Sequence, residues 1–145
     1  MAQGDQESRL DQSVRSRAGA VGIMQILPST AAYEQVQIED VAGDPEQNIH
    51  AASKYMRYLL DTYLADPGLD QTNRLLLGLA AYNAGPANMQ RMRRRAAEMG
   101  LDPDVWFDNV EQAAAKLIGR ETVQYVSNIY KYYLAYRLVE ARSDS

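Results

Sequence analysis

Apolar residues in this chain recur at the spacing of helices. The clearest run follows Asp44-Pro45, where apolar positions fall three or four residues apart, at Ile49, Ala52, Met56, Leu59, Leu60 and Tyr63. Asp is a favoured N-cap and Pro a favoured first helical residue, so the pattern predicts a helix from Asp44-Pro45 to a stop at Asp66-Pro67-Gly68. The alternation with a period of two that marks a half-buried strand does not occur.

Four further helices are predicted downstream. They are an apolar segment that ends near residues 83–86, residues 87–99 with Gly100 as a left-handed cap, a segment from Asp102-Pro103 to Gly119, and a last helix from about Glu121 to Ala141. The last helix carries an apolar series through which we expect it to pack, namely Val123, Val126, Ile129, Tyr130, Tyr133 and Leu134. The pattern therefore predicts an all-α fold.

Two segments depart from this helical pattern. Residues 19–28 are apolar and contain two glycines, which favours a buried loop or turn whose backbone approaches another group closely. Residues 82–86, Tyr-Asn-Ala-Gly-Pro, place polar and turn-forming residues at the end of an apolar helix. Polar groups at the edge of a core are frequent in binding sites.

Size and composition limit the possible functions. The 145 residues, 46% hydrophobic and 23% charged, suit one globular domain, and no apolar run reaches the roughly 20 residues that would cross a membrane. There is no cysteine, so disulfides and cysteine-based zinc sites are excluded. A single histidine, His50, leaves almost no material for a Ser-His-Asp triad or a poly-His metal site. The chemistry is expected to use carboxylates. A net charge of −4 argues against general nucleic-acid binding.

One dense basic run stands out, at Arg91, Arg93, Arg94 and Arg95. It is followed by an acidic stretch, Glu98, Asp102, Asp104, Asp108 and Glu111. The favoured interpretation is two neighbouring segments of opposite sign that neutralise each other on a solvated face. The alternative is attraction to an anionic polymer of the cell envelope or to nucleic acid.

Several motifs follow one another in an order that is typical of one family. They are Gln-Glu-Ser at residues 6–8, Gly-Ala-Val-Gly-Ile-Met-Gln-Ile-Leu-Pro-Ser-Thr-Ala at 19–31, Asn48-Ile49, Ala-Ala-Tyr-Asn-Ala-Gly-Pro at 80–86, and Glu-Thr-Val-Gln-Tyr-Val at 121–126. Together they resemble the lytic transglycosylase catalytic (SLT) domain, family 1, related to goose-type lysozyme. The resemblance implies a single lysozyme-like helical domain over residues 1–145 with a substrate cleft.

The resemblance also implies a reaction. Members of this family cleave the β-1,4 bond between N-acetylmuramic acid and N-acetylglucosamine in peptidoglycan, and the muramic C6 hydroxyl closes a 1,6-anhydro ring. One carboxyl with a raised pKa can act as acid and then as base, and Glu7 occupies that position. The motifs offer no obvious second catalytic carboxylate; Asp11, the first acidic residue after Glu7, has no catalytic role in the family pattern. This agrees with assistance from the N-acetyl group of the substrate.

By resemblance, the substrate-binding residues are Ser16, Met24, Gln25, Tyr82, Asn83 and Tyr125. Each assignment has an alternative. Ser16 and Gln25 could brace the loop, either tyrosine could be a core residue, and Asn83 could hold the turn. No metal or organic cofactor is implied. The expected partner is the glycan strand of peptidoglycan, and nucleic acid is not expected.

The setting implied by the resemblance is the periplasm or cell envelope. We expect a precursor with a signal, a lipid anchor in the outer membrane, or a fused or partner domain; a phage particle is the alternative setting. In the family the acid/base lies late in a long helix, and only six residues precede Glu7, so part of that helix is expected to be lacking here. The rival functions are a hydrolytic muramidase or chitinase on the same fold and a non-catalytic glycan-binding module.

Overall fold

The computed structural model describes residues 1–22, 24–32 and 36–143. Within these ranges the chain forms helices and two isolated β-bridges but no strand, which confirms the all-α prediction. The helices are α1 (Ala2–Ser8), α2 (Pro28–Ala32), α3 (Pro45–Tyr63), α4 (Gln71–Ala84), α5 (Pro86–Glu98), α6 (Glu111–Ile118) and α7 (Glu121–Ser143). Among the described helices, none combines the length and apolar character that a membrane span requires.

The chain divides into two compact units. The first unit contains Met1–Tyr58 and Asn128–Ser145, and the second contains Leu59–Ser127. The core of the first unit is built from small and branched side chains, Val21, Ile26, Ala31, Val36, Val41 and Ala51. The second unit buries larger ones, including Leu59, Leu64, Leu76, Leu77, Met89, Met92, Trp106, Val110 and Val126.

Local hydrogen bonds explain where α3 begins and where α5 ends. At the start of α3, the Asp44 carboxylate accepts a 2.9 Å hydrogen bond from the backbone N–H of Glu46. Gly100 has φ +78°, its N–H bonds to Ala97 O, and the N–H of Leu101 bonds to Ala96 O. These two bonds form a Schellman motif, which confirms the predicted left-handed cap after α5.

The helix predicted from Asp102-Pro103 begins later than expected. Residues 106–110 form an irregular turn in which Asp108 has φ +61°, and the regular helix α6 starts only at Glu111. Two side-chain oxygens bond to the backbone before α6. The Asn109 side chain accepts from Asp102 N at 2.9 Å, and the Asn73 side chain accepts from Trp106 N at 2.9 Å. Trp106 is nevertheless fully buried.

The second half of α7 has a different environment from that predicted. Tyr133 and Leu134 are each 41% exposed, and Leu138 and Val139 are 67% and 61% exposed, so the expected packing of Tyr133 and Leu134 is wrong. Helical spacing was present, but no described residue covers this part of the helix fully. Tyr136 is half-buried here, and its hydroxyl donates to the Asp5 carboxylate. This hydrogen bond raises the pKa of Tyr136.

Candidate functional site

Glu7 lies in the last turn of α1 and is half-buried. The helix ends immediately afterwards because Arg9 and Leu10 both adopt left-handed conformations, with φ of 56° and 62°. The neighbouring Ser8 is buried, and its hydroxyl donates to Gly4 O at 3.3 Å and accepts from Asp11 N at 3.2 Å. Ser8 therefore fixes both the last turn and the exit of the chain, which restricts where the Glu7 carboxyl can lie.

The apolar segment predicted to be a buried loop is a compact loop pinned by short backbone bonds. Val21 forms isolated bridges with Arg15 and Ile26, and Gly22 N donates to Val14 O at 3.0 Å. Both Val21 and Ile26 are buried, so the loop is anchored in the core of the first unit. Ile23 of the same motif lies outside the described residues.

Two of the predicted substrate-binding residues brace this loop. Ser16 is exposed, and its hydroxyl accepts a 2.9 Å hydrogen bond from Ala20 N. Gln25 has φ +48°, and its amide nitrogen donates to Val14 O at 2.9 Å and Gly22 O at 2.7 Å. The bracing role that the sequence left open is thus present for both, and these bonds set the shape of the loop.

The backbone of Met24 bonds to the side chain of Asn48, which lies in the first turns of α3 and holds the loop in place. The Asn48 side chain is fully buried; its oxygen accepts from Met24 N at 2.7 Å, and its nitrogen donates to Val21 O at 2.7 Å and Val41 O at 2.9 Å. A Cβ atom at Gly22 would lie 2.6 Å from Asn48 Cγ, so glycine is needed for this approach.

The segment after Glu7 is joined to the same anchor point. The Gln12 amide nitrogen donates to Val41 O at 2.9 Å and to Ala42 O at 3.1 Å. Val41 O therefore accepts from both Gln12 and Asn48. The exit of α1, the loop containing Met24 and Gln25, and the start of α3 form one connected set of hydrogen bonds within the first unit.

The other three predicted site residues belong to the second unit. Tyr82 is half-buried near the end of α4, and Tyr125 is only 5% exposed on α7. The Asn83 side-chain oxygen accepts a 2.7 Å hydrogen bond from the hydroxyl of Thr122, which is itself buried. This bond joins the end of α4 to the first turn of α7, on which Tyr125 follows Thr122 by three residues.

The turn after α4 is held by Asn88 and not by Asn83, for which a turn-holding role was the alternative. The side-chain nitrogen of Asn88, in the first turn of α5, donates to Ala84 O at 2.8 Å. Asn83 instead bonds to Thr122. Sequence reasoning singled out none of Ser8, Gln12, Asn88 and Thr122 for these supporting roles. Ser8 and Thr122 lie within the family motifs at residues 6–8 and 121–126, whereas nothing in the sequence around Gln12 and Asn88 predicts their hydrogen bonds.

Asp11, the first acidic residue after Glu7, is bonded to its own neighbourhood in the chain. Asp11 is exposed and accepts hydrogen bonds from the Ser13 hydroxyl at 2.7 Å and the Ser13 N–H at 2.9 Å. These bonds lower the pKa of Asp11, so it is an ionised, locally bonded carboxylate near neutral pH. Among the described residues, no three His, Cys, Asp or Glu side chains are grouped in a way that could hold a metal ion.

Comparison with known proteins identifies the family. The model for the "Transglycosylase SLT domain" matches residues 2–105. The chain is 33% identical over 146 residues to membrane-bound lytic murein transglycosylase F of Pseudomonas fluorescens (strain Pf0-1). The aligned region covers 90% of this chain and 28% of that protein. The protein of the same description from Pasteurella multocida (strain Pm70) is 34% identical over 140 residues, and the aligned region covers 88% of this chain and 27% of that protein.

The chain thus spans little more than a quarter of the length of these curated relatives. The family match begins before Glu7 and extends past the Tyr-Asn-Ala-Gly-Pro motif, so it includes most of the motifs on which the resemblance rested. It covers well over half of the chain. The resemblance is confirmed: this chain belongs to the transglycosylase SLT domain family.

Proposed function

We propose that this chain is the catalytic domain of a peptidoglycan lytic transglycosylase. The observation that carries the proposal is its similarity, over about nine-tenths of its length, to proteins described as lytic murein transglycosylases. The structure supports it by holding the family's glutamate, Glu7, at a helix end that Ser8 secures. The preformed loop around Met24 and Gln25 supports a role in positioning a substrate.

In the proposed reaction, Glu7 acts twice. Its carboxylic acid first gives a proton to the glycosidic oxygen as the bond to C1 of N-acetylmuramic acid breaks. The N-acetyl group of the same sugar stabilises the positive charge at C1. The Glu7 carboxylate then takes the proton of the C6 hydroxyl while O6 bonds to C1, which closes the 1,6-anhydro ring and restores the acid. No water is consumed, and a second catalytic carboxylate is unnecessary.

The remaining site residues are proposed to bind the glycan. Ser16, Met24 and Gln25 present one braced loop, and a rigid loop loses little conformational entropy when a sugar binds. Asn83 and the two tyrosines, Tyr82 and Tyr125, are assigned to substrate binding by the family pattern. Their hydroxyl and amide groups can donate and accept hydrogen bonds with the acetamido and hydroxyl groups of amino sugars.

We further propose that the domain works in the cell envelope as one part of a longer polypeptide. Its relatives are described as membrane-bound and are more than three times its length. Such a setting would place the domain beside its polymeric substrate. The partner would be the glycan strand of peptidoglycan.

Cleavage of purified peptidoglycan in water enriched in oxygen-18 tests the chemistry. A transglycosylase releases fragments with anhydromuramic ends, lighter by one water than reducing ends and free of the label. A hydrolytic muramidase incorporates one labelled oxygen at each new reducing end. Labelled reducing ends as the main product would replace the proposal with hydrolysis, and binding without soluble fragments would replace it with a glycan-binding module.

A further inference from the structure

A shallow groove lies along one side of α5, within the second unit. It is lined by Gln90, Arg93, Arg94, Ala97 and Pro103, and its volume is about 400 Å³. The first four follow the spacing i, i+3, i+4 and i+7, which places them on a single helix face. Pro103, from the segment after α5, supplies the opposite wall. We refer to this feature as the α5 groove.

One arginine forms the fixed wall of the α5 groove. Arg93 Nε donates to Pro103 O at 2.9 Å, and Arg93 Nη2 donates to Asp104 at 2.7 Å. The Arg93 side chain is only 18% exposed. Its charge is therefore largely offset, as the sequence predicted for this run, and its main effect is to tie Pro103 and Asp104 to the helix.

The second arginine of the groove has its charge uncompensated. Arg94 is exposed, and in the ranges that the structure describes its guanidinium has no hydrogen-bond or ion-pair partner. Arg95 differs because it pairs with Glu98 at 3.1 Å. Residues 71–97 contain five arginines and no Asp or Glu, and the acids that follow, Glu98 and Asp104, pair with Arg95 and Arg93 rather than with Arg94. The expected mutual neutralisation is thus confirmed for Arg93 and Arg95 but does not extend to Arg94.

The mixture of groups in the α5 groove favours a particular ligand. A free guanidinium binds carboxylates and phosphates through paired N–H donors. The Gln90 side-chain amide can both donate to and accept from a peptide bond, and Ala97 and Pro103 offer a small apolar surface. An anion attached to amides and short aliphatic groups matches all of these features. A phosphodiester group would accept from the guanidinium and from the Gln90 amide N–H but has no donor for the Gln90 amide oxygen.

We propose that the α5 groove binds a free carboxylate of the peptide stems of peptidoglycan, with Arg94 as the anion-binding residue and Gln90 contacting the adjoining amide. This inference rests on the proposed function, because the stems are part of that substrate. The groove would hold the polymer by its peptide portion, independently of the residues assigned to glycan cleavage. Binding at this groove adds affinity for stem-bearing strands over bare glycan.

The test compares two arginines of the same helix. Binding of a synthetic stem tetrapeptide with free carboxylates is followed by amide chemical shifts in wild type, Arg94→Gln and Arg91→Gln. Arg91 is exposed, bonds to the Asn88 side chain and does not line the groove. Arg94→Gln is expected to raise Kd by about fivefold or more, whereas Arg91→Gln changes it by less than about twofold, since only Arg94 contacts the carboxylate.

Changing the ligand separates this proposal from general charge attraction. A tetrapeptide whose carboxylates are amidated should lose most of its binding, and its chemical-shift changes at residues 90–97 should disappear. Equal effects of the two substitutions, tighter binding of polyphosphate than of the tetrapeptide, or no saturable binding at millimolar tetrapeptide would overturn the assignment. None of these readings requires glycan cleavage, so failure of the proposed enzymatic function would be seen separately, in the product analysis.

Discussion

Asn48, in the first turns of α3, accepts a 2.7 Å hydrogen bond from the backbone N–H of Met24, which lies 24 residues earlier in the chain. The same side chain donates to Val21 O and Val41 O and is fully buried. One carboxamide thus uses its oxygen and both of its hydrogens to hold three backbone groups, two in the loop and one at Val41. Because Met24 and Gln25 are adjacent, the position of the proposed substrate-binding loop depends on this residue.

Replacing Asn48 with Ala should therefore destabilise the chain strongly. Met24 N–H would lose this acceptor, and Val21 O and Val41 O would each lose one of two donors, so we expect the free energy of unfolding to fall by about 2–4 kcal/mol. Urea unfolding followed by circular dichroism measures this change. His50→Ala, at an exposed position on the same helix, is the matched control and should change stability by less than about 0.5 kcal/mol. Equal losses in both variants would contradict the anchoring role.

Two glycines of the same loop allow steric clash to be separated from backbone strain. Gly22 has φ +80° and Gly19 has φ +91°, so alanine is strained at either position. At Gly22 the added Cβ also lies 2.6 Å from Asn48 Cγ, whereas at Gly19 it meets no atom of another described residue within 4 Å beyond its chain neighbours. We expect Gly22→Ala to lower the unfolding temperature more than Gly19→Ala does. Similar reductions would show that Asn48 can move aside at little cost.

Local signals along the chain were sufficient to place most helices. Asp44, Asp70 and Gly100 mark helix ends through bonds to groups within a few residues, so their effects can be predicted from sequence. The late start of α6 could not be predicted in this way, because Asn73 accepts from Trp106 N across 33 residues. A bond of that kind depends on the packed structure.

The same distinction applies to the candidate site. Motif order identified the family and singled out Glu7, but the bonds of Asn48 to Val21 and Met24 connect residues that only folding brings together. The exposure of Tyr133 was missed for a related reason. Helical spacing predicts which residues share a face and does not show whether another element covers that face.

A pH-dependent contribution to stability is expected from Asp70. Its carboxylate accepts from the backbone N–H of Asn73 at 2.7 Å and from the Asn73 side chain at 2.9 Å, and these bonds lower its pKa below the ordinary 3.8. Ionised Asp70 therefore stabilises the folded chain above that ordinary value. The contribution is lost as the pH falls through the lowered pKa.

Thermal unfolding of Asp70 variants measures this contribution. At pH 7, Asp70→Ala should unfold at a lower temperature than wild type, because α4 loses its N-cap. Asp70→Asn keeps an oxygen acceptor without a titratable group, so its unfolding temperature should lie between the two. Near pH 2 the difference between wild type and Asp70→Ala should narrow. A difference that stays constant from pH 7 to pH 2 would show that the charge of Asp70 contributes nothing.

The exposed end of α7 predicts an unusual tolerance to polar substitution. Leu138 and Val139 are 67% and 61% exposed, so little buried apolar area is lost when they become polar. The double variant Leu138→Gln and Val139→Gln should unfold within about 2 °C of wild type, since well-exposed substitutions rarely change stability much. Ile129→Ala on the same helix, where Ile129 is 5% exposed, should unfold at a clearly lower temperature. A marked loss in the double variant would show that something covers this surface in solution.

In the proposed cleavage, one carboxyl, that of Glu7, acts as both acid and base. The most direct measurement is digestion of purified peptidoglycan by wild type, Glu7→Gln and Glu46→Gln, with anhydromuramic ends counted by mass spectrometry. Glu46 is an exposed glutamate in the first turn of α3 and serves as the matched control. We predict that Glu7→Gln releases these ends about two to four orders of magnitude more slowly while still binding the polymer, and that Glu46→Gln matches wild type. Wild-type rates of anhydromuramic release from Glu7→Gln would contradict the account.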